Sequence, residues 1–114
     1  MILRTTSFCL AIALSATVLA SPKGNIAAGK AKAQQCAACH GADGNKTLDN
    51  TFPRLAGQYP DYLSKALLEY KSGKRKNAIM GGQAQTLTEQ DIANLAVYFG
   101  SLKGDIHDLS QHER

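Results

Sequence analysis

A chain of 114 residues has room for one domain built on a single compact core. With 19% charged and 44% hydrophobic residues it is neither a disordered chain nor one embedded in a membrane. A formal net charge of +4 is too weak a bias for nucleic-acid binding, which uses dense basic stripes, but it is compatible with docking on an acidic protein surface.

The first predicted element is the leader "MILRTTSFCLAIALSATVLA". Arg4 precedes an apolar stretch from Phe8 to Leu14, and Val18, Leu19 and Ala20 close it ahead of a cleavage site, the pattern of a secretory signal peptide over residues 1–20. A membrane anchor would need about 20 largely apolar residues, and this stretch is shorter and diluted by Thr and Ser. The expected product is a periplasmic chain starting at Ser21, with Cys9 lost and no transmembrane span. A domain over residues 21–103 and a polar tail over 104–114 complete the expected organisation.

Ile26 to Gln35 reads as the first helix, capped by Asn25, and it feeds directly into "QQCAACHGADG". A disulfide between Cys36 and Cys39 would close so small a loop that it removes little unfolded-state entropy. A thioredoxin-like redox pair wants a strand and a βαβ pattern, whereas the flank here is helical and alanine-rich. Zinc needs two more ligands, and the other histidines, His107 and His112, lie in the polar tail. One chemistry uses all three residues at this spacing. Thiols at i and i+3 on a helical turn can add to the two vinyl groups of a haem, with the next residue, His40, placed to put an imidazole on the iron. Because Cys and His are rare, a chance match in a chain this long is on the order of one in a few thousand. One covalently attached haem c on Cys36 and Cys39, with His40 as an axial ligand, is therefore expected.

The second helix falls in "YPDYLSKALLEYKSG", with Pro60 in its first turn, Gly73 as its stop, and Tyr62, Leu63, Ala66, Leu67 and Tyr70 on one face. Lys71, Lys74, Arg75 and Lys76 then crowd the approach to "NAIMGGQAQTL". Such a cluster reads either as a solvated helix end or as a rim that steers acidic partners. Met80 is the sole methionine once Met1 is removed, and it is expected in a glycine-rich loop where Gly81 and Gly82 let backbone approach a flat cofactor. A lone methionine often fills a core gap, but no other soft donor exists here, so Met80 is expected as the second axial ligand. The third helix opens at Thr88 with Asp91 three residues on, carries Ile92, Leu95, Ala96 and Phe99 at helical spacing, and is expected to end near Gly104. No period-two strand appears, so the class is all-α: three main short helices with loops around a cofactor. Their apolar residues are too few for a full core, and the haem faces are expected to complete it.

The segments "GKAKAQQCAACHGADGN", "FPRLAGQYPDYLSKAL" and "MGGQAQTLTEQDIANLAVYF" resemble the class I c-type cytochromes, most closely the small bacterial periplasmic kind that look like one half of the di-haem, two-domain proteins. The resemblance covers nearly all of Gly24 to Lys103. It implies a class I cytochrome c fold whose first and last helices cross, with Gly29 near Tyr98 and Phe99 and one haem between His40 and Met80. It also implies that the carbonyl of Pro53 orients His40. Thioether plus imidazole ligation leaves no open iron position and suits one-electron transfer between redox proteins by a monomeric carrier. No acid–base pair, nucleophile triad or phosphate loop points to an independent enzyme. Two other readings stand beside the carrier: a haem sensor or peroxidase-like protein that displaces Met80, and an electron-relay subunit bound tightly in a larger complex.

Overall fold

A computed structural model describes residues 20–104 and 106. Apart from Ala20, the leader over 1–20 lies outside these residues, as do His107 and His112. The order of elements is α1 (Ile26–Lys32), a 3-10 turn (Ala33–Cys36), α2 (Ala37–His40), α3 (Pro60–Ser72), α4 (Ala78–Gln85) and α5 (Glu89–Ser101). No strand occurs among the described residues, so the all-α expectation holds.

Local chemistry explains most boundaries. The Asn25 side chain accepts from the Ala28 N–H and starts α1. This helix keeps α geometry only to Lys32, then tightens into the 3-10 turn that delivers Cys36, so it is shorter than the Ile26–Gln35 expected from sequence. Pro60 occupies the first turn of α3 and Gly73 ends it in a left-handed conformation with φ of 75°. At α5, Thr88 and Asp91 form a reciprocal capping box: the Thr88 hydroxyl accepts from the Asp91 N–H and the Asp91 carboxylate accepts from the Thr88 N–H. This helix stops at Ser101, three residues before the expected Gly104.

The core is where α1 and α3 pack on α5. Ile92 and Leu95 are its largest fully buried side chains, joined by Leu63, Leu87, Tyr98 and Phe99. A Cβ at Gly29 would overlap the Asn94 carbonyl oxygen and come within 2.6 Å of Tyr98 Cβ, so glycine is what lets α1 cross α5 this closely. The crossing is near Asn94 and Tyr98, the second of which the family resemblance anticipates. Asn94 itself is buried; its side-chain oxygen accepts from the Asn25 N–H at 2.8 Å and from Gln90 Nε2 at 3.0 Å, tying the start of α1 to α5.

The principal correction concerns Met80. It lies in the first turn of helix α4 rather than in a loop. Two glycines in eight residues cost about 1 kcal/mol each in helix propensity, which hides this helix from a sequence reading. Asn77 offsets part of that cost by accepting from the Met80 N–H at 2.9 Å.

Candidate haem site

The attachment motif is positioned by the junction of two short helical turns. Cys36 closes the 3-10 turn and packs against the core cluster, while Cys39 and His40 sit in α2; neither cysteine is paired in a disulfide. Burial pushes the Cys36 thiol upward; the Lys32 ammonium partly opposes this and Cys39 adds to it. Directly after His40 the chain must turn away. Gly41 does so at φ of 85°, where a Cβ would also overlap the Lys46 carbonyl oxygen. The Leu48 N–H then donates to the Cys39 carbonyl at 2.9 Å, folding the following loop back over the motif.

His40 is 6% exposed, so its ring needs internal partners. Its Nδ1 lies 2.8 Å from the Pro53 carbonyl oxygen. A carbonyl has no proton to give, so Nδ1–H donates, and Nε2 is the nitrogen left to hold a metal. Phe52 meets the same ring edge-on, with centroids 6.2 Å apart. Tautomer and ring plane are thus set by the Phe52–Pro53 segment.

These residues open onto a cavity of about 470 Å³. Cys36, Cys39, His40, Pro53 and Met80 all line it, so the structure gathers these five predicted haem-site residues into one place. The α3 face of Tyr62, Leu63, Ala66, Leu67 and Tyr70 forms a wall of this cavity, with Leu95, Ala96 and Phe99 of α5 beyond. An apolar, concave site of this size with a few convergent polar groups suits an organic cofactor. Two thiols, an imidazole and a thioether, around an apolar space, are a donor set that fits a haem.

Gly81 and Gly82 do not line it. They face a separate shallow depression bordered by Tyr70, Lys76 and Ala78, and a Cβ on Gly82 would meet nothing within 4 Å. The expectation that they admit close backbone approach to the cofactor is therefore replaced by a position on the outer side of α4. Sequence reading also passed over Arg75 as part of the site. Its guanidinium lies 5.2 Å above the Tyr70 ring and 5.9 Å above the Tyr62 ring, and it lines the cavity with both. The basic cluster is thus divided. Lys71 donates from Nζ to the carbonyls of Gln85 at 3.2 Å and Leu87 at 2.6 Å, whereas Lys74 and Lys76 are exposed.

Comparison with known proteins places the chain in a family. The cytochrome c family profile matches residues 26–103. Cytochrome c4 of Pseudomonas aeruginosa is 49% identical over 94 residues, covering 82% of this chain and 46% of that protein. Cytochrome c-554(548) of Halomonas halodenitrificans is 42% identical over 81 residues, covering 68% of this chain and 96% of that protein. Among solved structures, reduced recombinant cytochrome c4 from Pseudomonas stutzeri superposes with a TM-score of 0.67 at 40% identity, over 73% of this chain and 48% of that one. The chain spans about half the length of the cytochromes c4 it matches.

Proposed function

The chain belongs to the cytochrome c family and carries one covalently bound haem c, and we propose that it is an exported, diffusible one-electron carrier using His40 and Met80 as axial ligands. The observation that carries this reading is the convergence of Cys36, Cys39, His40 and Met80 on one cavity, with the Nδ1–H of His40 held by Pro53. Cys36 and Cys39 would supply the thioether links, since the 3-10 turn running into α2 brings both to the cavity beside His40. Pro53 fixes the imidazole plane and raises its basicity through the hydrogen bond. Met80 supplies a soft sulfur from α4, which favours the reduced state. A haem bound there supplies a ferric–ferrous couple. With His40 and Met80 both holding the iron, the group would change little between its two states and would leave no place for substrate, which suits passing electrons better than catalysing a reaction.

Cleavage of residues 1–20 would release the domain over 21–103 into the periplasm, and no described helix is long and apolar enough to cross a membrane. Exposed Lys74 and Lys76, next to the segment that carries Met80, suit a partner with an acidic docking surface. Potentiometric titration of the purified holoprotein tests the carrier reading. The expected result is one reversible one-electron wave and negligible turnover of peroxide. A protein that consumes peroxide in its native state would overturn it in favour of the peroxidase-like reading.

A further inference from the structure

Helix α4 brings Met80 to the cavity, yet it buries little. Ala84 is its one buried residue, and Ile79 is 58% exposed. With Gly81 and Gly82 at its centre, the helix has no apolar stripe that could hold it by hydrophobic contact alone. What ties it to α3 is polar. The Lys71 ammonium donates to the Gln85 carbonyl at the end of α4 and to the Leu87 carbonyl just beyond it, and Gln85 Nε2 donates back to the Lys71 carbonyl at 2.6 Å. At the other end, Arg75 stands in the short connection from α3. Its backbone N–H donates to the Glu69 carbonyl at 3.0 Å, its guanidinium nitrogens donate to the Tyr62 hydroxyl at 3.4 and 3.5 Å, and its guanidinium carbon lies 5.2 Å from the Tyr70 ring centroid, so the connection into α4 is fastened to α3.

We propose that Lys71 and Arg75 are positioning residues, Lys71 by clasping the end of α4 onto α3 and Arg75 by anchoring on α3 the connection that leads into α4, and that together they control how often the Met80 sulfur leaves the cavity. This rests on the His40/Met80 reading. Lys71 neutralises the carbonyl end of α4, where helix dipole and orphan acceptors favour a cation. Arg75 holds the connection into α4 against the Tyr62 and Tyr70 rings of α3, where a delocalised guanidinium serves better than the point charge of lysine. Because burial adds so little, loss of either cation should shift α4 toward a displaced state without unfolding the core formed by α1, α3 and α5.

Imidazole binding to the ferric holoprotein reads that population directly, because apparent affinity scales with the fraction of molecules in which Met80 has moved away. Lys71→Met and Arg75→Leu should each raise imidazole affinity roughly tenfold, the range expected for losing hydrogen bonds from a charged group. Arg75→Lys should recover part of the loss, and Lys30→Met on exposed α1 should match the wild type. Gln85→Ala, which keeps the ammonium and removes only the returning bond, should give a smaller rise, and it serves if Lys71→Met does not accumulate as holoprotein. In a Met80→Ala background the Lys71 and Arg75 effects should vanish, since the group they position is gone. Wild-type affinity in Lys71→Met and Arg75→Leu, with tighter binding in Met80→Ala, would overturn the clasp while leaving Met80 as the ligand. Effects that persist undiminished in Met80→Ala would also overturn it. Unchanged affinity in Met80→Ala itself would instead remove the ligand assignment beneath it.

Discussion

Gly29, Gly41 and His40 show how single residues set the site. A methyl group at Gly29 would enter the space held by Asn94 and Tyr98, so Gly29→Ala should force α1 away from α5. Overpacking of this kind costs about 1–3 kcal/mol, and urea unfolding of the holoprotein should show that loss with the visible spectrum unchanged. At His40 the decisive feature is one hydrogen bond to a backbone carbonyl. Its chemistry was legible at the residue level only in part. Cys36, Cys39 and His40 announce themselves because three rare residues at fixed spacing serve few purposes. Pro53 acts through its carbonyl, which every residue has, so nothing local in the sequence marks it and only likeness to a family pointed there. Asn94 went unnoticed for a related reason: a polar residue beside Ile92 and Leu95 reads as exposed until its partner, the Asn25 N–H, is brought across from α1.

At the level of elements, legibility followed the strength of the end signals. Helix α5 begins with a Thr and an acidic residue at capping-box spacing, and both hydrogen bonds are present. Thr88→Ala should therefore cost about 1 kcal/mol of stability. The partner carboxylate adds a pH signature. The Thr88 N–H bond is the main cause holding Asp91 below its ordinary 3.8; desolvation opposes it, and the Thr88 side chain and nearby Lys32 lower it further. A carboxyl depressed on folding contributes stability above its unfolded pKa and loses it as pH falls through the folded value. The stability gap between wild type and Asp91→Asn, followed by thermal melts, should thus be full at neutral pH and close only in acid below 3.8. A gap that stayed constant into that acid range would assign the effect to packing. Helix α3 was equally readable from Pro60 and Gly73, although its apolar face proved to line the cavity as well as to pack on the core through Leu63. Helix α4 was not readable, because its glycines argue against a helix and its supports, Asn77 and Lys71, act from outside its own eight residues.

For the whole molecule, the small core and the apolar cavity beside it have one explanation, a cofactor that completes the interior. Surface charge belongs to this scale as well. Lys71 and Arg75 are engaged inside the fold, whereas Lys74 and Lys76 are exposed, as the proposed docking on an acidic partner requires. Lys74→Glu combined with Lys76→Glu should slow electron exchange with an acidic redox protein strongly at low salt and little at high salt, because charges are screened over about 8 Å at physiological ionic strength. Stopped-flow rates across a salt series would show this; equal rates for variant and wild type at low salt would move the docking surface elsewhere. The most direct measurement of all is the visible spectrum of the ferrous holoprotein with and without carbon monoxide. If His40 and Met80 fill both axial positions, the wild-type spectrum is unchanged by the gas and Met80→Ala converts to a carbon monoxide complex. Ready conversion of the wild type would mean an open position and a ligand-binding protein instead of an electron carrier.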